Sequence, residues 1–162
     1  MRGAEGFEPA DLEELRRLRA RTRARGRSVA LCHGCFDLFH VGHVHHLARA
    51  ADLADVLVVS VSSDTACAKG PGRPAFPASE RAAVVRALAM VDRVHLARGA
   101  GPTDVITALR PDVYVKGPDY AHRPCVRLRA EAALVERLGG RTVFTDDAVT
   151  ASSTDLFRRF HA

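Results

Sequence analysis

The sequence predicts an α/β protein with a parallel five-stranded sheet and helices on both faces. Two short apolar runs, 29–32 and 55–61, are bounded by polar residues, which is typical of strands buried in a parallel sheet. Between them, apolar residues recur at helical spacing from Val44 to Leu53. A strand, a helix and a second strand in this order form a right-handed βαβ unit, the repeating element of such sheets.

The other elements follow from the same patterns. Leucines at helical spacing predict a helix from 10 to 25 that ends at Gly26. Ser79 is placed to cap a helix that runs to about Met90. We predict the remaining elements as a strand at 91–96, a helix at 102–109, a strand ending at Lys116, a helix at 121–138, a strand at 141–144 and a helix at 155–160.

The size and composition indicate one globular domain. The chain has 162 residues, of which 47% are hydrophobic and 27% charged, and these values are ordinary for such proteins. No apolar run approaches the roughly 20 residues that cross a bilayer, and the first residues lack the apolar core of a signal peptide. We therefore expect a cytoplasmic protein that does not enter the membrane.

The charge of the chain favours an anionic partner. The net charge is +5, and the basic residues are 22 arginines and only two lysines. Lys69 and Lys116 are both followed by Gly-Pro, and a compact ammonium serves a phosphate differently from a planar guanidinium. Both lysines are therefore candidates for a phosphate site.

The first predicted helix carries a dense set of basic residues, namely Arg16, Arg17, Arg19, Arg21, Arg23 and Arg25. One interpretation is a non-catalytic nucleotide or RNA binder, whose retention on RNA would fall steeply with salt. We favour a solvated helix face, because no aromatic residues alternate with the arginines and no recognition motif is present. We therefore expect no nucleic-acid partner.

A strand that turns through a glycine into a helix is the main candidate for chemistry. The segment 34–43 reads Gly-Cys-Phe-Asp-Leu-Phe-His-Val-Gly-His. His40 and His43 share one side of the first helical turn, and Gly42 lets a ligand approach the backbone. The N–H groups and the dipole of a helix start suit a phosphate, to which two imidazoles can donate hydrogen bonds. Asp37 has a structural alternative, which is to cap the helix and hold the turn.

Cys32 and Cys35 have the spacing of redox and zinc motifs. No second pair of this spacing follows, the histidines do not form a His-Glu-x-x-His pattern, and Cys32 lies within a predicted strand. We therefore expect buried free thiols and no metal held by protein side chains. A zinc site is the alternative, and stoichiometric zinc in a metal analysis would support it.

The segment 34–43 resembles the signature of the cytidylyltransferase-like nucleotidyltransferases, in which a His-x-Gly-His element binds the nucleoside triphosphate. The resemblance extends from about Val29 to Phe160, and it is nearest to the adenylyltransferase domain of bacterial heptose-phosphate enzymes and to the small, phosphonoformate-type cytidylyltransferases of phosphonate biosynthesis. We expect a Rossmann-like domain at 28–162, with an N-terminal arm and the basic helix at 1–27 packed on it.

The residues and the resemblance together give three sets of candidate site residues. The catalytic set is His40, His43, Lys69 and Lys116. The nucleotide-binding set is Gly34, Cys35, Phe36, Asp37, Gly42, Arg81, Gly117, Ser152, Ser153 and Thr154. The acceptor-binding set is Asp64, Arg73, Asp119, Tyr120, Arg123 and Arg127. The resemblance alone implies the roles of Arg81, of 119–120 and of the Ser-Ser-Thr element at 152–154.

The segment after Tyr120 departs from the family pattern. Related enzymes usually carry acidic and glycine residues there, whereas this chain is strongly basic. The segment is either an exposed face or the binding site of an acceptor more negative than a sugar phosphate, and the second reading favours a small phosphonate or carboxylate.

The expected reaction is nucleotidyl transfer. An acceptor phosphate or phosphonate oxygen attacks the α-phosphorus of a nucleoside triphosphate, and pyrophosphate leaves in line. We expect Mg²⁺ to bridge the phosphate oxygens. The basic segments favour CTP with a small phosphonate, and ATP with heptose 1-phosphate is the alternative. A homodimer is possible, since related enzymes are often dimers.

Overall fold

The computed structural model describes residues 8–68, 70–118, 125–146 and 148–149. The described helices are α1 (Leu12–Ala24), α2 (Val41–Ala51), α3 (Ala78–Arg86), α4 (Thr103–Leu109) and α5 (Val126–Arg137). The described strands are β1 (Val29–Gly34), β2 (Val56–Val61), β3 (Arg93–Leu96), β4 (Val113–Lys116) and β5 (Arg141–Phe144). A 3₁₀ turn, Thr65–Cys67, follows β2.

The described strands form one parallel five-stranded sheet in the order β3-β2-β1-β4-β5. The central strand β1 pairs with β2 on one side and with β4 on the other, so the direction of the connections reverses beside it. In parallel sheets, ligands bind beyond the carboxyl ends of the strands at such a reversal. The predicted Rossmann-like α/β fold is confirmed, and the segment 34–43 begins at the reversal.

The sheet has a separate core on each face, because successive side chains of a strand point to opposite sides. On the α2 face, Ala30 and Leu57 pack with helices α2 and α3. On the α5 face, Leu31 packs with helices α1, α4 and α5, and Leu15 of α1 is fully buried there. Helix α1 is therefore part of the core on the α5 face. The predicted boundary between 1–27 and 28–162 stays a prediction.

Several arginines of α1 have carboxylate partners. Arg16 and Arg17 pair with Glu13 at 3.4 and 3.3 Å, and both pairs are exposed. Arg19 forms two bonds to Asp112, at 2.7 and 2.8 Å, which fasten the helix to the start of β4. These pairs agree with the solvated helix face, which stays a prediction together with the absence of a nucleic-acid partner.

Some predicted boundaries shift. Gly26 does follow the end of α1, with a φ of 64°, as predicted. Ser79 is not the cap of α3: the carbonyl of Pro77 already accepts hydrogen bonds from the next turn, so the helix starts at Ala78. Helix α3 ends at Arg86 rather than near Met90, because the chain then turns back toward β2, where Asp92 N–H donates to the carbonyl of Leu57. The predicted helix at 155–160 lies outside the described residues. Within the described ranges, no helix is long and apolar enough to cross a membrane.

Candidate active site

The loop between β1 and α2 has an unusual backbone conformation. Phe36 and Leu38 have φ values of 53° and 45°, in the left-handed region that non-glycine residues rarely adopt. A side chain at Gly34 would come within 3.1 Å of the Phe36 ring, so the buried ring occupies the space that this glycine leaves. Strained backbone of this kind persists where the surroundings enforce it, and it concentrates at functional sites.

The two histidines of the segment stack on each other. The ring centroids of His40 and His43 are 3.9 Å apart, with an angle of 22° between the rings. Phe36 and Phe39 flank the His43 ring at 5.4 and 5.2 Å. His40 is the N-cap residue of α2, and both imidazoles therefore lie at the positive end of the helix.

The hydrogen bonds of this pair define its proton positions. His40 N–H donates to Nδ1 of His43 at 3.4 Å, so a neutral His43 carries its ring proton on Nε2. Burial lowers the pKa of His40 and so favours the neutral form of its ring. Nδ1 of His40 is buried and has no hydrogen-bond partner among the described residues. Such an atom is suited to a hydrogen bond with a ligand.

Asp37 holds two loops together. Its buried carboxylate accepts hydrogen bonds from Arg73 Nε at 2.7 Å and from the N–H groups of Ala75 and Phe76 at 3.0 and 3.4 Å. Asp37 therefore holds the turn, as the structural alternative predicts. It does not cap α2, because the N-cap residue of that helix is His40. The proposed binding roles of Asp37 and Arg73 stay predictions, with both side chains engaged in this pair.

Arg81 joins the same loops to the end of β2. The residue is 2% exposed, and its guanidinium donates to the carbonyls of Phe76 and Ser62 at 2.9 and 3.0 Å, as well as to the carbonyl of Cys35. It also pairs with the half-exposed carboxylate of Asp64 at 2.6 Å. Arg81 thus lies under the candidate site, where it fixes the backbone beside the histidine pair.

Two cysteines form a bridge that the sequence does not reveal. Cys35 and Cys67 are joined in a disulfide with their Cα atoms 5.8 Å apart. The expectation of buried free thiols is therefore wrong for Cys35, and it holds for Cys32, which is buried and free, with a pKa raised to about 12 by burial. The expectation fails for Cys35 because this residue lies in the loop beyond the strand, within reach of Cys67, whereas Cys32 points into the core.

The last residue of β4, Lys116, points to the α5 face. Its side chain is 5% exposed, and Nζ lies 3.4 Å from the His33 carbonyl, 3.4 Å from the Tyr114 hydroxyl and 3.8 Å from the carboxylate of Glu131. Arg127 binds the other oxygen of Glu131 at 3.2 Å. We call Tyr114, Lys116, Arg127 and Glu131 the Lys116 network.

Arg127 and Gly117 occupy different surroundings. The guanidinium of Arg127 also donates to the Ala100 carbonyl, and it lies so close to Gly101 that a Cβ there would be 2.7 Å from one of its nitrogens. At Gly117, a Cβ would meet no heavy atom of the described residues within 4 Å. The acceptor-binding role of Arg127 stays a prediction.

A half-buried histidine completes the α5 face at the carboxyl edge of the sheet. The ring of His33 bonds to Ser60 through Nδ1 and to Ser62 through Nε2, both at 3.1 Å. Burial, with Lys116 nearby, lowers its pKa to about 3, and a neutral ring satisfies both hydroxyls.

Two further histidines of α2 tie the helix to the end of β5. His45 bonds to Asp146 at 2.7 Å, and Nδ1 of His46 bonds to the hydroxyl of Thr145 at 3.0 Å. Burial lowers the pKa of His46 to about 4. These contacts join α2 to the chain that follows β5.

Part of the predicted site lies outside the described residues, namely Lys69, Asp119, Tyr120, Arg123, Ser152, Ser153 and Thr154. Their roles stay predictions, as does that of Gly42, which is the second residue of α2. The described structure brings His40, His43, Asp37, Arg73, Arg81 and Asp64 together around the β1–α2 loop. The sequence reasoning did not find Tyr114, Glu131 or Cys67. One available signal was Glu131, a carboxylate on the helix stripe of Leu128 and Val135.

Within the described ranges, no group of three or more His, Cys, Asp or Glu side chains could hold a metal ion. Asp37 and Asp64 are paired with arginines, and the sulfur of Cys35 is bonded to Cys67. The zinc alternative therefore lacks the ligand group that it requires in this part of the chain.

Fold and site together define the class: an α/β nucleotidyltransferase-type domain with its histidine pair on the helix after the first strand. The cytidylyltransferase-like family model matches residues 31–159. The chain belongs to this family.

Relatives and a solved structure agree with this assignment. The chain is 42% identical to the bifunctional protein HldE of Streptomyces coelicolor over 92% of its own length and 32% of that protein. It is 43% identical to the bifunctional protein HldE of Acidiphilium cryptum, over 84% of its own length and 28% of that protein. The chain thus spans about a third of the length of these relatives. The crystal structure of the lipopolysaccharide core biosynthesis protein from Thermoplasma volcanium GSS1 matches with a TM-score of 0.63 and 27% identity, over 75% of this chain and 98% of that one.

Proposed function

We propose that this domain transfers an adenylyl group from ATP to a sugar 1-phosphate of the heptose class, with release of pyrophosphate. The observation that carries the proposal is the stacked pair of His40 and His43 on the first turn of α2, at the reversal of a parallel sheet. The relatives named HldE, which belong with the heptose-phosphate adenylyltransferases, support the choice of ATP and a sugar phosphate.

This proposal reverses the order of the two alternatives from the sequence. From the sequence, CTP with a small phosphonate is favoured because the basic segments indicate a highly anionic acceptor. Two of those arginines, Arg73 and Arg127, have carboxylate partners within the chain, Asp37 and Glu131. The charge of Arg73 is therefore balanced within the chain, and Arg127 shares Glu131 with Lys116. The relatives favour ATP and a heptose phosphate.

The chemistry follows from the charge of the reactants. An oxygen of the acceptor phosphate forms a new bond to the α-phosphorus of ATP, while the bond from that phosphorus to the bridging oxygen breaks and its electron pair leaves with pyrophosphate. The acceptor oxygen is already ionised at neutral pH, so no general base is required. His40, His43 and the N–H groups at the start of α2 stabilise the negative charge on the phosphates in the transition state. Lys116 supplies a cation at the neighbouring strand end.

Mg²⁺ belongs to the proposal as an ion carried by the triphosphate. The described side chains fit this role better than that of a protein-held metal, since Asp37 and Asp64 are engaged with arginines. When bound, the ion neutralises phosphate charge and leaves the protein to orient the nucleotide. A homodimer and a cytoplasmic location are also retained as proposals.

A pyrophosphate-release assay that crosses two nucleotides with two acceptors tests the function. ATP and CTP are each combined with heptose 1-phosphate and with a small phosphonate such as phosphonoformate, at fixed Mg²⁺. We expect release only with ATP and the sugar phosphate. Release with CTP and the phosphonate would restore the other alternative, and no release in any combination would contradict a transferase function.

A further inference from the structure

Glu131 is a carboxylate in an apolar position. It lies on the inner stripe of α5 between the buried Leu128 and Val135, and only 7% of its surface is exposed. Glutamate is almost never buried at such a position unless it is paired, because removing its charge from water is costly. The partners of its two oxygens therefore indicate why it is there.

The two oxygens of Glu131 have different partners. Oε1 accepts from Arg127 Nε at 3.2 Å, which holds the carboxylate from the outer side of the helix. Oε2 accepts from the Tyr114 hydroxyl at 2.8 Å and lies 3.8 Å from Nζ of Lys116. Oε2 thus faces the end of β4, and Arg127 binds Oε1 instead.

Lys116 is the cation that pairs with Oε2 of Glu131, with its Nζ 3.8 Å away. Its Nζ also lies 3.4 Å from both the Tyr114 hydroxyl and the His33 carbonyl. Together with Glu131, three acceptors therefore lie near the ammonium on the α5 side. A lysine side chain has four rotatable bonds and reaches a defined place only when its neighbours restrain it.

We propose that Glu131 is a positioning residue for catalysis, whose carboxylate holds the ammonium of Lys116 at the carboxyl end of β4 for the phosphates of the reaction. The inference rests on the proposed function, because Lys116 has this task only if a phosphate is transferred. The family signature at 34–43 carries no information about Glu131, which lies on the opposite face of the sheet from α2.

The charge state of Lys116 supplies a readout that a purely structural role would not change. Burial is the main cause that lowers the pKa of Lys116, and Arg127 lowers it further, whereas Glu131 opposes both. Among the described residues, the titratable groups that interact with Lys116 are Cys32, His33, His46, Tyr114, Cys125, Arg127 and Glu131. Without the negative charge of Glu131, burial and the positive charge of Arg127 both lower the pKa of Lys116. Lys116 then loses its proton at a lower pH.

The test is the pH profile of pyrophosphate release by the variant Glu131→Gln, which keeps the shape of the side chain. We expect the basic limb of kcat to move to lower pH by about one unit or more, which is the usual effect of one close opposite charge. On that limb the rate is then about tenfold below wild type at the same pH, with an unchanged KM for the nucleotide. The control Glu136→Gln changes an exposed glutamate of the same helix and should leave the profile as in wild type.

A second variant keeps the test decisive if Glu131→Gln does not fold. Tyr114→Phe removes the hydroxyl that orients both Glu131 and Lys116 while leaving the charges in place, and we expect a lower kcat without loss of nucleotide binding. If the variants of Glu131 and Tyr114 both keep the wild-type kcat and basic limb, while Lys116→Met is inactive, the positioning role is wrong and the proposed function stands. If wild type releases no pyrophosphate, the proposed function fails and the positioning role fails with it.

Discussion

The two faces of the sheet use polar residues in opposite ways at the carboxyl edge. On the α2 face, the strand residues stay apolar to the end, as in Cys32 and Val115, and the polar groups lie beyond them in loops and on the first turn of α2. On the α5 face, the strands themselves become polar, at the buried Ser60 and Lys116 and the half-buried His33. Polar groups covered by helices must find partners inside the protein, whereas those at a loop rim can bind a ligand. We therefore expect changes on the histidine pair to affect rate, and changes to His33 and its serine partners to affect stability. Lys116 lies at the strand end itself, and under the proposed function its replacement also affects rate.

The largest expected effect is on the rate of pyrophosphate release, and it distinguishes His43 from His45 on α2. His43→Ala removes a ring that we assign to the phosphate charge, and the rate of pyrophosphate release should fall by about 10² to 10³, as for the loss of one transition-state donor. His45→Ala, on the same helix but paired with Asp146, should retain most of the rate. A His43→Ala variant with near wild-type turnover would contradict the role of the pair.

The next effect compares two arginine–aspartate pairs that differ in burial. Asp37→Asn leaves Arg73 without its charge partner in a pair whose side chains are 1% and 7% exposed, and should lower the free energy of unfolding by about 3 kcal/mol. In the pair of Asp64 and Arg81, the Asp64 side chain is 50% exposed, and Arg81 keeps its carbonyl acceptors. Asp64→Asn should therefore cost less than about 1 kcal/mol. Urea unfolding of both variants measures the difference. An equal loss in the free energy of unfolding would contradict the role of Asp37 in holding the two loops together.

The smallest effect concerns acid sensitivity on the α5 face. Burial lowers the pKa of His33 to about 3 in the folded protein, whereas an unfolded histidine titrates near 6.5. Below about pH 6.5 the unfolded chain binds a proton that the folded protein does not. The free energy of unfolding therefore decreases as the pH is lowered, until the folded pKa is reached. At pH 5 this amounts to roughly 1 to 2 kcal/mol. The carboxylates with lowered pKa values, such as Asp112, lose their contribution only at lower pH, near and below their unfolded pKa.

His33→Gln can bond to both serines but cannot titrate, and it should flatten the pH dependence of the unfolding midpoint between pH 7 and pH 5. His46→Gln should act in the same way, since burial lowers the pKa of His46 to about 4. An unchanged acid slope in both variants would show that neither ring stays neutral in the folded state.

The fold is predictable because the decisive patterns are local. Continuous apolar runs at β1 and β2 indicate strands covered on both faces, and the glycine turn after β1 places the histidines on a helix start. Helix ends are less predictable, because the end of α3 depends on a hydrogen bond from Asp92 to Leu57 of another strand. The sequence alone contains no cue to that contact.

The candidate site divides in the same way. The positions of His40 and His43 follow from their spacing, and the assignment of the family follows from the segment that contains them. The pair of Asp37 and Arg73 joins residues 36 positions apart, and its geometry depends on how two loops fold over one another. Glu131 left a cue in the pattern of α5, but its partner Lys116 becomes evident only when the strand is placed against the helix.

The disulfide between Cys35 and Cys67 closes a covalent ring that contains all of α2 and β2. The loop that bears the strained Phe36 and the turn that follows β2 are thereby fastened to each other, so widening the gap between them strains a chemical bond. A protease that cuts the chain inside this ring leaves two pieces that stay attached, and they separate on a denaturing gel only after the sulfur bridge is reduced.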